Sequence, residues 1–342
     1  MTIVEPNKVV PDAASIRQVL GDSLGYLYPA ALRVAALTNV ADHLTDGPRT
    51  VPELAELTGT DAGHLRRVLR FLATRGVFRE DESGAFHLTA AADVLRTDSA
   101  LSVRTTVLLL TDDIYWRCAG KLDDTVRTGT TVFNSLFGSP LFDYLHADAD
   151  RETLFHVGIA DLSNIEQDAI AEAYDFPASG RLVDVGGGPG GFLQAVLNRN
   201  PGLTGVLFEQ QSVLDQNRMD ASLADRWEPA TGDFFAAVPG GGDIYILKRV
   251  LHDWDDADSL RILTSCRAAM PEHARVLIID AVIPPGNDPH PSKLYDLAMM
   301  TIFDGKERTE VEFNDLLAAA GLKPNRIIPT PGTLSIIEAV PS

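Results

Sequence analysis

The chain has 342 residues, 45% of them hydrophobic and 23% charged, with 48 acids against 29 bases and a net charge of −19. That length accommodates two domains with separate cores, and the composition fits a soluble globular protein, expected in the cytoplasm. The acidic balance weighs against nucleic acid as a partner, no run is long and apolar enough to span a bilayer, and Cys118 and Cys266 lie outside any zinc or disulfide spacing.

The first fifteen residues, MTIVEPNKVVPDAAS, lack a basic segment followed by an apolar core, so no secretory signal is expected. From Ala13 to Leu44 apolar residues recur at three- and four-residue steps (Leu20, Leu24, Leu27, Ala31, Val34, Leu37), which predicts a helical region. Its other faces are apolar too, as a helix buried on several sides requires, and a second subunit could supply that burial. Thr50-Val51-Pro52-Glu53 then reads as a capped helix start, ending near Gly59. Thr60-Asp61 opens a second helix that stops at Gly76, and Val77-Phe78 with Phe86-His87-Leu88 forms a two-stranded wing. Helix, turn, helix and wing make a winged-helix pattern, which raises a DNA-binding regulator as a second class of function. Arg66, Arg67 and Arg70 stand where a recognition helix would carry them, yet the wing is acidic, and three arginines also suit a solvated face.

Residues 106–178 read as mostly helical, with a loop around Thr128 to Pro140, and are rich in aromatics such as Phe133, Phe142 and Phe155. Some of these could stack on a flat ligand. Beyond the break at Pro177 to Gly180, strands are predicted at 181–185, 204–208, 227–231, 243–248, 275–281 and 333–339, with helices between the first five. The expected fold is a Rossmann-like α/β sheet, mostly parallel, behind an N-terminal, chiefly helical winged-helix domain. The domains are placed at 1–105 and 106–342.

The first of these strands runs into Gly186-Gly187-Gly188-Pro189-Gly190-Gly191 and then a helix. Glycines let the backbone turn tightly and a ligand approach it, while the helix N-terminus offers free N–H groups. A nucleotide-like ligand is expected, but Gly186, Gly188 and Gly191 also satisfy the dinucleotide pattern, with Glu209 at the distance of a ribose acid. By itself the turn supports a dehydrogenase equally well.

Two further stretches separate those readings: Leu247-Lys248-Arg249-Val250-Leu251-His252-Asp253-Trp254, and Gly305-Lys306-Glu307-Arg308-Thr309. Together with the glycine turn, in this order, they resemble the S-adenosylmethionine-dependent O-methyltransferases of the acetylserotonin and caffeate type, over nearly the whole chain. The resemblance implies a winged helix serving homodimerisation and lidding the substrate site, not DNA binding. It implies S-adenosylmethionine held by Asp184, Gly186, Gly188, Glu209, Asp233, Phe234 and Lys248. His252 would be the base, held by Asp280 and Glu307; many members carry Glu where Asp280 stands. A neutral imidazole can take the proton of a phenol as its oxygen attacks the sulfonium methyl. The implied acceptor is a small aromatic secondary metabolite, met by Phe155, His156, Ile159, Met299, Met300 and Phe303. Relatives commonly carry Asn and Met where His156 and Ile159 stand, which implies a pocket of its own shape. Non-methylating relatives that use the cofactor in hydroxylation or decarboxylation, and methylation at nitrogen or carbon, are the alternatives. No metal is expected: Asp253, Asp255, Asp256 and Asp258 read as acids at the start of a helix over 257–270. His290 reads as exposed.

Overall fold

The computed structural model describes residues 11–342, and its internal contacts divide the chain after Thr111. In the first unit the predicted helical region is broken: Ala13–Ser23 and Leu27–Leu37 are separate helices. Helix Val51–Thr58 has the expected capping box of Thr50 and Glu53, and Gly59 closes it in the left-handed conformation. Helix Ala62–Ala73 follows, capped by Asp61. The wing has three strands, β1 (Arg49–Thr50), β2 (Phe78–Glu80) and β3 (Ala85–Leu88), in the antiparallel order β1-β3-β2. Leu54, Leu69, Leu72, Phe78 and Phe86 form its core. Arg66 and Arg70 are engaged by Glu80 of the wing, at 3.1 and 3.7 Å.

The second unit begins with short helices, among them Asp113–Ala119, Phe133–Phe137 (inside the expected loop) and Leu141–His146, and the 25-residue helix Ala149–Ala173. Then come β4 (Gly180–Val185), β5 (Leu203–Glu209), β6 (Trp227–Thr231), β7 (Ile244–Lys248), β8 (Arg275–Ile283), β9 (Arg308–Thr309), β10 (Leu322–Pro329) and β11 (Leu334–Pro341). The main sheet has the order β10-β11-β8-β7-β4-β5-β6 and is parallel from β8 to β6. β4 and β7 carry fully buried apolar residues, as strands covered on both faces should.

Two expectations about the sheet are corrected. No helix joins β6 to β7; that stretch holds Pro239-Gly240-Gly241-Gly242, which cannot sustain one. The strand β10 was not predicted, because Pro324, Asn325 and Pro329 argue against a strand. It lies at the sheet edge with an irregularity after Pro324, where a missing N–H is tolerated.

The topology fixes the place of the site. Chain order reverses at β4, whose neighbours are β5 on one side and β7 on the other, so a crevice opens beyond the carboxyl ends of β4 and β7. The glycine turn leaves one of these ends and Lys248-Arg249 leaves the other.

Candidate active site

At the end of β4, Gly186, Gly188 and Gly190 all adopt positive φ. A Cβ on Gly187 would lie 2.5 Å from the Asp184 carboxylate, whereas one on Gly188 would meet nothing within 4 Å. The turn is therefore packed on the inside and open on the cavity side. Asp184 is fully buried, and neither of its oxygens makes a hydrogen bond of standard geometry. Burial raises its carboxyl to about 7, against the pull of Lys248. Lys248 donates to Ser163 Oγ at 2.5 Å and lies 3.5 Å from Glu166, and burial lowers its ammonium to about 8.

Two cavities meet at this turn. The smaller, about 130 Å³, is walled by the glycines with Ser163, Asn164 and Lys248. The larger, about 420 Å³, takes in Glu209, Asp233, Phe234, Asp253 and Trp254. Phe155, His156, Ile159, Gly186 and Arg249 belong to both walls. Burial raises the Glu209 carboxyl, and the Asp233 carboxylate accepts from the backbone of Phe235 at 2.8 Å. Phe142 links Phe155, Trp254 and Phe303 in one aromatic cluster, with ring centroids 6.0–6.2 Å apart. Met299 is buried on helix Pro291–Ile302, and neither it nor Met300 lies in the walls of these two cavities. His290 is not a free loop residue: it caps that helix and bonds Ser292.

After β7 the chain enters a short 3-10 turn, Leu251–Asp253. The His252 ring is buried, with Nδ1 3.0 Å from Glu307 Oε1 and Nε2 3.5 Å from Asp253 Oδ1. Burial opposes charge on the ring, but Asp253, Glu307 and Asp280 outweigh it and raise the imidazole to about 9. Asp280 is held up to about 7 and Asp253 to about 6, both by burial. Glu307 thus reaches the histidine, while Asp280 acts on it through charge alone, its oxygens making no hydrogen bond. The acids of the HDWDD stretch divide differently from expectation. Asp255 caps helix Asp256–Ala269, whereas Asp253 faces His252.

The downstream motif explains how this turn is held. A Cβ on Gly305 would collide with the backbone of His252 and Asp253. Fully buried Arg308 donates to the carbonyls of Leu251 and Trp254, both at 2.9 Å, to Ser259 Oγ at 3.0 Å and to Asp256 at 3.0 Å. Adjacent residues therefore fix the ring and the backbone that carries it.

A family model for the O-methyltransferase domain matches residues 119–323, and one for the O-methyltransferase dimerisation domain matches residues 22–98. The chain belongs to the S-adenosylmethionine-dependent O-methyltransferases. The enzyme is 40% identical over 322 residues to the phenazine O-methyltransferase of Lysobacter antibioticus, covering 93% of this chain and 94% of that one. It is 36% identical over 313 residues to the aclacinomycin 10-hydroxylase of Streptomyces purpurascens, covering 89% and 84%. Among solved structures, a methyltransferase of calicheamicin biosynthesis with S-adenosylhomocysteine bound superposes with a TM-score of 0.90 at 46% identity, covering 98% and 100%. The family cofactor is S-adenosylmethionine, and the residues present fit it: unbonded carboxylate oxygens on Asp184, an open glycine face and an acid at the end of β5.

Arg249, Glu166 and Arg308 were given no role from the sequence, and Asp253 was expected only as an acid at a helix start. Arg249 has φ +55, one of two positive values on non-glycine residues among those described. Such strain costs about 1–3 kcal/mol and concentrates at functional sites. Nothing in a linear pattern signals it.

Proposed function

We propose that the enzyme methylates a phenolic hydroxyl of a small aromatic secondary metabolite, with His252 as general base. The observation that carries this is the His252–Glu307 contact of 3.0 Å on the turn whose next residues, Asp253 and Trp254, enter the wall of an aromatic-lined cavity. Glu307 accepts the Nδ1 proton, which leaves Nε2 to take a proton from the acceptor oxygen. A phenol, with a pKa of about 10, is a weak nucleophile until that proton leaves. The bound cofactor supplies a methyl group already activated on a sulfonium.

The other residues take roles that suit their places. Asp184, Lys248 and the glycines Gly186 and Gly188 hold the amino-acid end of the cofactor; Glu209 accepts the ribose hydroxyls; Asp233 and Phe234 take the adenine. Phe155, His156 and Ile159 border both compartments, and Phe303 backs Phe142 in the wall of the larger one, while Met299 and Met300 lie behind these walls. The dimerisation domain supports a homodimer.

Likeness to a 10-hydroxylase keeps one further reading alive, in which the cofactor is bound but no methyl is transferred. The full set of His252, Glu307 and the buried acids favours methylation, since an enzyme that only binds the cofactor needs no oriented base. Incubation with S-adenosylmethionine and a panel of mono- and polycyclic phenols, read by mass spectrometry, tests this. Expected is a mass gain of one methyl on oxygen with matching release of S-adenosylhomocysteine. Oxygen insertion or loss of carbon dioxide without that release would instead support the second reading.

A further inference from the structure

Each methyl transfer leaves a proton on His252, and the ring must lose it before it can serve as a base again. Three acids surround the ring, and they differ in their access to open space. Glu307 is 1% exposed and Asp280 is fully buried, and neither lies in the walls of the two cavities. Glu307 Oε2 and both Asp280 oxygens sit in the interior without a hydrogen-bond partner. A proton passed to that side of the ring has no further acceptor to reach.

Asp253 stands on the other side. Its Oδ1 is 3.5 Å from Nε2, the nitrogen left free for the acceptor's proton, because Glu307 occupies Nδ1 at 3.0 Å. Its side chain is 22% exposed and belongs to the wall of the larger cavity, not to that of the glycine-walled one. Of the three acids it alone joins the ring to a cavity. Arg308 holds the carbonyls of Leu251 and Trp254 on either side, so the backbone of the turn is fixed and side-chain rotation is the freedom that remains. A rotation that shortens the gap by about 0.5 Å makes a hydrogen bond along which a proton can pass.

The charges around Asp253 suit it to hold a proton briefly. Burial raises its carboxyl to about 6, with Glu307 adding to the rise and His252 and Arg249 opposing it. Tyr115, on helix Asp113–Ala119, interacts with it too, and its hydroxyl is pushed up by burial and by the Asp253 charge, so it stays neutral. An acid in this range can accept a proton from an imidazolium and lose it to water at neutral pH.

We infer that Asp253 is the proton carrier of the catalytic cycle, taking the proton from His252 Nε2 after methyl transfer and delivering it to solvent through the larger cavity. As the methyl passes from sulfonium to oxygen, the acceptor O–H bond breaks and Nε2–H forms. Nε2–H then breaks as Oδ1–H forms, and Oδ1 gives up the proton to water, one for each methyl transferred. This inference rests on the reading of His252 as general base.

The test is rapid-quench methylation by wild type and Asp253→Asn in weak buffer, using the phenol that the panel above finds methylated fastest. In the variant the first turnover should stay within about threefold of wild type while steady-state turnover falls at least about tenfold, leaving a burst of about one methyl per active site. Added imidazole, a small soluble base, should restore the steady state, and Asp253→Glu should keep part of it without help. Circular dichroism and thermal melts verify that the variants fold, and if Asp253→Asn does not, Asp253→Glu and Asp253→Ser carry the comparison. Equal slowing of the first and later turnovers overturns the inference and places Asp253 in the transfer step itself. An unchanged steady-state rate, or a burst that imidazole does not relieve, overturns it as well. Those outcomes leave the general-base reading intact, since that is decided by the loss of turnover in His252→Ala. If no phenol of the panel is methylated, or His252→Ala turns over normally, both readings fall together.

Discussion

His252 poses a problem of protonation that its surroundings also solve. An imidazole raised to about 9 carries a proton at neutral pH, and a protonated ring cannot act as a base. The acids that raise it are the same groups that make the crevice receptive to a cation. Two unit charges about 5 Å apart, at an effective dielectric constant of ~20, repel by about 3 kcal/mol, equivalent to about 2 pKa units. A sulfonium held at that distance would push the imidazole back toward neutrality, and its binding would be coupled to proton release. The sign follows: below about pH 9 the charged ring opposes the cationic cofactor, and the opposition fades as pH rises. Affinity for S-adenosylmethionine should climb between pH 7 and 9 relative to that for the neutral thioether S-adenosylhomocysteine. Titrations of both ligands across that range measure the ratio, and parallel curves would count against a charged His252 in the free enzyme. The raised Asp184 carboxyl fits the same logic, since a buried acid without a hydrogen-bond partner gains most when a cation arrives.

At the level of elements, the site is assembled from two segments of sequence that meet at one turn. Gly305 permits the approach, Glu307 takes the ring, and Arg308 holds the carbonyls on either side of the histidine. Arg308→Met would remove the charged donor from both carbonyls, leaving them only Ser259 Oγ at 3.2 and 3.3 Å, and from Asp256, which keeps Lys306 at 3.0 Å. The loss of such a buried donor costs about 1–3 kcal/mol, so a lower melting temperature and a fall in kcat are expected together. Arg308→Lys, which keeps the charge but loses the fork, should recover part of the stability and less of the rate. A variant as stable and active as wild type would show that the turn holds itself. Much of this was legible beforehand. The glycine turn, the histidine at the end of a strand and the GKERT stretch stand out because each combines residue types that simple packing does not require. Other features were hidden for a physical reason. The acid run after His252 reads as a helix start, and only the 3-10 turn reveals that Asp253 faces the ring while Asp255 caps the helix. β10 escaped notice because prolines are tolerated only at an edge, and edge position is a tertiary property.

For the whole molecule, the first unit bears on assembly. Helix Ala13–Ser23 buries none of its residues within the chain, and Ile16, Val19 and Leu20 are more than half exposed. An apolar helix face left uncovered in one chain is the usual mark of a subunit contact. Leu20 belongs to the apolar series expected from the sequence, but Arg17, Gln18 and Asp22 make this helix polar on its other side, and the break after Ser23 was not foreseen. The double variant Ile16→Asp, Leu20→Asp should move the protein from dimer to monomer in light scattering coupled to gel filtration. A variant that still runs as a dimer would place the interface elsewhere in the first unit. Among the described residues no helix is long and apolar enough to cross a membrane.

The central claim is that the crevice beyond β4 and β7 binds the cofactor on one side and deprotonates an aromatic hydroxyl with His252 on the other. Its most direct test is His252→Ala, assayed for methyl transfer to the acceptor found in the phenol screen and, separately, for S-adenosylhomocysteine binding. Turnover should fall by about 10²–10⁴-fold, the range of a lost general base, with the dissociation constant changed by no more than about threefold. Methyl transfer at near wild-type rate in that variant, with binding intact, would contradict the account.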